Sequence, residues 1–510
     1  MIHQGYLLGL DVGSSSVKAS LVEVRSGRSV ASSQSPSSEM SMTAVQSGWA
    51  EQDPEMWWEH AVKSTRLCLE KSQIRPESVL AIGIAYQMHG LVVVDKNQRV
   101  LRPSIIWCDS RAVLLGEQAF RDLGEGFCLS HLLNSPGNFT ASKLKWVREN
   151  ESKTYEQIHK IMLPGDFIAM KLTGEIQTTE TGLSEGVFWD FKEKAISRKL
   201  LDYYGISSSL IANAVPVFSV QGELTKGAAE ALGLKPGVKV AYRSGDQPNN
   251  AFSLNVLNPG ETAATAGTSG VIYSVTDKNA FDPDSRVNTF LHVTNGSSAT
   301  ASAGQASARN GILLCINGTG ILNRWLNNTI QSSGEPYGYA KLNEIAAQAR
   351  IGSAGLVALP FGNGAERILK NKEIGASFHG VDFNQHHQAH LFRAAQEGIV
   401  FSLKYGFDIL EKMGCHSSVI RAGNSNMFLS PIFREAFVNT TGSRLELYDT
   451  DGAQGAALGA GVGAGIYASF AEAFAGLTMI DFLEPDQSKQ EQYNRAFLQW
   501  REVLDRSFKS

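Results

Sequence analysis

Tyr242-Arg243-Ser244-Gly245-Asp246-Gln247-Pro248-Asn249-Asn250 continues the apolar run Val238-Lys239-Val240-Ala241 and sets a carboxylate, Asp246, beside a glycine where that run ends. A carboxylate at the carboxyl end of a strand, in front of a helix, is where open α/β folds place their chemistry. Thr262-Ala263-Ala264-Thr265-Ala266-Gly267-Thr268-Ser269-Gly270-Val271-Ile272-Tyr273 follows soon after and reads as strand, tight glycine turn, strand. Small residues in such a turn leave backbone N–H groups free to meet an anion. A base and a phosphate-holding turn this close together point to phosphoryl transfer. On these residues alone an alternative stays open, in which Asp246 caps a helix and Gly267-Thr268-Ser269-Gly270 is an ordinary hairpin.

The chain opens on a similar construction. Tyr6-Leu7-Leu8-Gly9-Leu10-Asp11-Val12 is an apolar run that carries a carboxylate, Gly13-Ser14-Ser15-Ser16 turns the chain, and 17–24 alternate like a half-buried strand. No G-x-x-x-x-G-K-[ST] follows, so this is not a Walker loop. Two hairpins built from glycine, hydroxyl residues and an apolar strand suggest a duplicated domain, each copy holding phosphates with one turn.

Working outward, Asp53 and Pro54 start a helix over 55–71. A buried strand over 79–85 ends at Gln87, Met88 and His89. A further strand over 104–111 carries Trp107, Asp109 and Arg111 at its polar end. His89 by itself reads as a structural histidine. Polar groups at several strand ends are what a polyhydroxylated ligand needs. Later come a surface helix over 222–234, two strands over 287–301, a helix opening over 303–309 and a loop over 334–339. A long amphipathic helix follows over 389–413, then a strand over 419–422 that turns at Gly423 and Asn424.

The whole chain bounds these readings. Its 510 residues call for two or more domains. The 46 basic and 50 acidic residues, net −4, give no support for a nucleic-acid or membrane-surface partner. Five scattered cysteines without C-x-x-C spacing argue against disulfides or structural zinc and fit a reducing cytoplasm. No secretory signal is visible at the start. The uncharged stretch 452–471 is dominated by Ala and Gly, so hydrocarbon insertion gains little. It reads as a soluble helix over 453–470 whose small face admits another backbone or a ligand.

Several separated motifs together resemble the FGGY-type carbohydrate kinases, the family of xylulokinases, glycerol kinases and gluconokinases, and most closely its xylulokinase branch. Leu10-Asp11-Val12-Gly13-Ser14-Ser15 with Lys18 is similar to the first phosphate motif. Trp49-Ala50-Glu51-Gln52-Asp53-Pro54 with Trp57-Trp58 resembles the block that follows it. Gln87-Met88-His89-Gly90 with Trp107, Asp109 and Arg111 resembles the sugar-binding segment. Gly245-Asp246 matches the catalytic aspartate, and Gly267-Thr268-Ser269-Gly270 the second phosphate motif. Gly423-Asn424 falls at the adenosine motif, and Gly455-Ala456-Ala457-Leu458-Gly459-Ala460 at the closing helix.

The resemblance implies an α/β fold of two actin-like, ribonuclease-H-like domains with the active site in the cleft between them. We place the boundary so that 1–245 hold the sugar and the first phosphate motif, and 246–510 the second phosphate motif and the adenosine. It further implies ATP and Mg²⁺, with Asp11 holding the metal through water and Asp246 taking the proton of a sugar's terminal hydroxyl. Gln87, Met88, His89, Trp107, Asp109 and Gln247 are the expected sugar contacts. Asp11, Gly13, Ser14, Ser15, Lys18, Gly267, Thr268, Ser269, Gly423 and Asn424 are the expected nucleotide contacts. The expected reaction is phosphorylation of D-xylulose, with glycerol, ribulose, L-xylulose and gluconate as the alternatives. Monomer and homodimer both stay open.

Three positions depart from the xylulokinase pattern. Gln247 stands where Asn is usual and is as glycerol kinases have it. Ala422-Gly423-Asn424 replaces successive glycines. The loop around Glu366-Arg367 keeps that pair but is otherwise altered.

Overall fold

The structure, a computed structural model, describes residues 5–296, 308–330 and 336–509. The helix opening expected over 303–309, the loop expected over 334–339 and the second of the strands expected over 287–301 lie wholly or partly outside the described residues. Two mixed sheets dominate. In the first, Tyr6–Val12, Val17–Glu23 and Ser29–Ser35 form an antiparallel meander. Val79–Tyr86 and then Lys239–Gly245 add in parallel beside Tyr6–Val12, and Phe218–Glu223 closes the far edge antiparallel. In the second, Thr262–Ala266, Gly270–Thr276 and Asn310–Ile316 repeat the meander. Val419–Gly423 and Arg444–Tyr448 repeat the parallel pair, and Met479–Leu483 the antiparallel edge. One extra strand, Asn288–Leu291, lies outside Asn310–Ile316. The edge strand comes before its neighbour in the first sheet and after it in the second. Otherwise strand order and direction match, so the fold is the expected pair of actin-like domains, and the Gly13 and Gly267 turns occupy corresponding places.

Side chains on a strand alternate between faces, and the first strand shows what this does here. Leu8, Leu10 and Val12 pack with Trp57, Ile84, Phe167 and Leu232 under the helices Pro54–Ser72, Pro164–Thr173 and Lys226–Leu232. The opposite face, with Leu7, packs against Ala456, Ala457 and Ala460 of the helix Gly452–Gly463, which comes from the C-terminal half. The small residues there are steric requirements. A Cβ on Gly9 would lie 1.8 Å from the Ala453 carbonyl oxygen, and one on Gly83 1.9 Å from that of Ala456.

The exchange is mutual. Ala251, Leu254 and Val256, in and just after the helix Asp246–Ser253, pack with Ala263, Val271, Tyr273 and Val275 of the second sheet. The other face of the second sheet lies under the helices Gln388–Lys412 and Gln487–Lys509. The helices Asp246–Ser253 and Gly452–Gly463 each follow the second parallel strand of their own sheet and pack against one another.

Three expected elements are corrected. The helix read over 453–470 stops at Gly463, because Gly465 takes φ +71, and only a short turn, Phe470–Ala473, resumes. The strand read over 104–111 shrinks to Ser104–Ile105, after which Ser110 turns back to hydrogen-bond Gly48. The helix read over 222–234 is the edge strand Phe218–Glu223 followed by Lys226–Leu232, which Thr225 caps. No described helix is long and apolar enough to cross a membrane.

Candidate functional site

Each glycine turn has its carbonyls engaged from behind. In the first, Gln52 Nε2 donates to the Ser14 carbonyl at 2.7 Å and the Met40 N–H to the Ser15 carbonyl at 2.8 Å. The Ser16 carbonyl accepts from the Gly13 N–H at 3.1 Å. In the second, the Gly320 N–H donates to the Gly267 carbonyl at 2.9 Å and the Ile321 N–H to that of Thr268 at 3.3 Å, both from the start of the helix Gly320–Ile330. With carbonyls held back and the Gly13 N–H given to Ser16, the other turn amides are the groups left to meet an anion. The space around Gly267 is open: an added Cβ finds nothing closer than Asn426 Nδ2 at 3.7 Å.

Asp11 and Asp246 lie close enough to act on one another. Alternation puts Asp11 on the same face as Leu7 and Gly9, and it lies opposite Lys18 in the hairpin register. Its carboxylate abuts the start of the helix Gly452–Gly463, where a Cβ on Gly452 would lie 2.4 Å from Oδ2. Burial raises the Asp11 pKa to about 6, with Lys18 opposing and Asp451 adding to the shift. Asp246 is the first residue of its helix, directly after the strand Lys239–Gly245. Burial, and then the neighbouring Asp11, raise its pKa to about 7, while Gln247 Nε2 donates to Asp246 Oδ2 at 3.1 Å. Ser269 of the second turn and Asp246 both act on the Cys315 thiol, so Asp246 and that turn share one space.

The expected sugar residues divide. His89 stands half-buried at φ +62 between the rings of Phe139 and Phe290, at centroid distances of 4.9 and 5.3 Å. Burial and the cations Lys143 and Arg367 push its pKa down to about 3, so the ring is neutral. Met88 is buried against Gly245, the residue before Asp246. Trp107 is exposed, with Nε1 3.4 Å from Ser14 Oγ, and so stands at the Gly13 turn. Gln87 is buried, and its amide donates to Gln52 Oε1 at 3.3 Å, bracing that same turn. The Asp109 carboxylate is fully buried. It accepts from the Ala50 N–H and, with both oxygens, from the Arg111 guanidinium, so it ties the Trp49–Ala50 segment to Arg111.

At Gly423-Asn424, the Asn424 N–H donates to the Tyr448 carbonyl at 2.9 Å, and its Oδ1 accepts from Arg434 Nη2 at 2.7 Å. The side chain is therefore held toward Arg434. Asn424→Gly should leave the KM for ATP within about threefold of the parent, the loss of one partly exposed hydrogen bond. A tenfold fall in KM would mean that the side chain obstructs the nucleotide.

Sequence reasoning missed three residues. Lys143, fully buried, donates from Nζ to the carbonyls of His89 and Ile106, each at 2.9 Å, joining the two sugar-side loops. Burial lowers its pKa to about 8. Glu185 is buried beside His89 and Gly245, and burial holds its carboxyl well above the usual range. Gln52 links the first turn to Gln87 and Trp57. Lysine on the apolar side of a helix, among Leu144 and Val147, was a readable signal. Glu185 carried none.

Comparison with known proteins gives the family and the fold. Residues 6–253 match the model for the N-terminal domain of the FGGY family of carbohydrate kinases, and 262–468 that for its C-terminal domain. A xylulose kinase of Staphylococcus xylosus is 26% identical over 514 residues, covering 98% of this chain and all of that one. The structure superposes on a xylulose kinase from Rhodospirillum rubrum with a TM-score of 0.84 at 24% identity, covering 99% and 100% of the two chains. A gluconate kinase from Lactobacillus acidophilus gives 0.86 at 21% identity, covering 99% of each.

Proposed function

This chain belongs to the FGGY family of carbohydrate kinases and is an ATP-dependent sugar kinase; on that premise we propose that its acceptor is a ketopentose, D-xylulose foremost, phosphorylated at the terminal C5 hydroxyl. The observation that carries the choice of sugar is the end-to-end match to a xylulose kinase.

In this reading the sugar lies against His89 and Met88 with its terminal hydroxyl at Asp246. Asp246 accepts the hydroxyl proton as the oxygen attacks the γ-phosphorus, and the bond to the β,γ-bridging oxygen breaks to leave ADP. Gln247 fixes the rotamer of the base through Oδ2. The amides of the Gly13 and Gly267 turns meet the phosphates, and the Gly423-Asn424 turn flanks the adenosine. Positioning and charge neutralisation dominate such a transfer.

The donor set fits Mg²⁺. No cluster of three metal-ligating side chains exists among the described residues, and Mg²⁺ is ordinarily held by one or two carboxylates together with waters and substrate phosphates. Asp11, half-buried and with its pKa raised to about 6, is the carboxylate that would hold it, and bound metal would neutralise developing phosphate charge. Lys18 stands by to balance Asp11 without it.

A second reading follows from Gln247, which is as glycerol kinases have it; glycerol is then the first rival, before ribulose, L-xylulose and gluconate. The test measures kcat/KM for D-xylulose, glycerol, ribulose, L-xylulose and gluconate under one set of conditions, as phosphorylated product. D-xylulose should lead. If any rival exceeds it tenfold, about 1.4 kcal/mol of transition-state binding, the sugar assignment fails while the kinase assignment stands.

A further inference from the structure

The hydrogen-bonding polarity of the sugar wall is set by a residue outside every motif. His89 Nδ1 lies 2.9 Å from the main-chain carbonyl oxygen of Glu185. A carbonyl oxygen only accepts, so Nδ1 carries the proton, and in a neutral ring Nε2 is then an acceptor with nothing to donate. The half-buried ring stays neutral because desolvation and two nearby cations, Lys143 and Arg367, disfavour its charged form. Turning the ring over would replace the bonded Nδ1–H with a carbon, and Phe139 and Phe290 crowd that rotation. The backbone is held by the same partner: the His89 N–H points at Glu185 Oε1 at 3.4 Å, and Lys143 holds the His89 carbonyl. No described residue hydrogen-bonds Nε2. The other carboxyl oxygen of Glu185 reaches the Gly245 backbone, where an added Cβ would lie 2.4 Å from Oε2, so the wall that orients His89 also abuts the residue before the base.

We propose, resting on the sugar-kinase reading, that Glu185 is a positioning residue whose main-chain carbonyl locks His89 in the tautomer protonated at Nδ1, so that Nε2 accepts only and the sugar must present a hydroxyl there. A carbonyl or carboxylate oxygen of the substrate at that point would face a lone pair with no proton between them. The site therefore selects among sugars by where the keto or acid group falls along the chain, independently of length. This is a specificity rule that the motif residues alone do not contain, because histidine can serve as either donor or acceptor.

Two measurements test it on the full chain. The first needs no substrate. Long-range proton–nitrogen correlations of protein labelled with ¹⁵N-histidine report the tautomer of each of the 11 histidines, with His89 assigned by its loss in His89→Gln. The pattern of a single Nδ1–H tautomer is expected; an Nε2–H pattern, or an average of the two, overturns the proposal whatever the enzyme phosphorylates. The second uses the unmodified protein with deoxy and deoxyfluoro analogues of the accepted sugar, position by position. At one hydroxyl, other than the one phosphorylated, both analogues should lose on the order of 10–100-fold in kcat/KM, as expected for a buried acceptor left without its donor. Fluorine cannot donate, so the fluoro compound should fare no better than the deoxy one. If at every sensitive position fluorine restores activity, His89 is not acting as an acceptor and the proposal fails.

Discussion

Asp246→Asn is expected to lower kcat roughly 100-fold or more while sugar binding persists, the loss that follows from removing a general base without removing its shape. The asparagine keeps the volume and the bond from Gln247, so the substitution isolates proton acceptance. The pH dependence gives a second readout. Because burial and Asp11 raise the pKa of the base to about 7, kcat/KM of the parent enzyme should climb as pH rises through that value and level off above it. That limb should disappear from the residual activity of the variant.

Stability should move the other way. A carboxyl whose pKa is raised on folding stabilises most below its unfolded value, and the contribution is lost as pH rises through the folded one. Asp246→Asn should therefore unfold at the same temperature as the parent near pH 4 and at a higher temperature at pH 8. A variant with near-normal turnover would remove Asp246 from the chemistry.

Gly9→Ala is expected to cost about 3 kcal/mol or more of folding stability, or to leave the protein insoluble, although it adds a single methyl group. The added carbon would sit 1.8 Å from the Ala453 carbonyl oxygen and 2.7 Å from the Ala457 nitrogen, both backbone atoms with no rotamer to yield. Strand and helix must separate, which also shifts the start of that helix away from Asp11. Gly227→Ala is the control: it lies in a helix, a Cβ there meets nothing within 4 Å, and the change should be neutral or slightly stabilising. Thermal unfolding midpoints of the two variants decide the matter. If Gly9→Ala unfolds within a degree or two of the parent, the close approach of strand and helix is not as described.

Much of the fold was legible because its signals are local. Strands such as Tyr6–Val12 and Val79–Tyr86 are apolar runs bounded by turn residues, and Asp53-Pro54 starts its helix as read, with Asp53 accepting from the Glu55 N–H at 3.0 Å. The C-terminal helix Gln487–Lys509 was not read, its apolar residues being spread through a strongly polar sequence. The places where Asp11, Asp246 and the two glycine turns stand follow from strand ends, which periodicity reveals. What Gln87 and Asp109 do was not legible, since whether a polar side chain faces ligand or protein depends on partners distant in sequence: Gln52 for the one, Ala50 for the other. Glu185 was invisible for the same reason. It sits in an ordinary polar stretch, and only the tertiary fold buries it beside His89.

The mutual exchange of helices has a consequence during synthesis. The N-terminal sheet is complete once Gly245 has been added, but the helix that covers one of its faces, Gly452–Gly463, is made about 200 residues later, which at 5–20 residues per second is roughly 10–40 s. Throughout that interval Leu7, Ala81, Ala85 and Tyr242 have no partner from the far end of the chain, and the nascent protein presents an apolar sheet face narrow enough for little but glycine and alanine to fill. The chain emerges from the ribosome with its first domain built and unsealed, and a helix from late in the second domain is what closes the first.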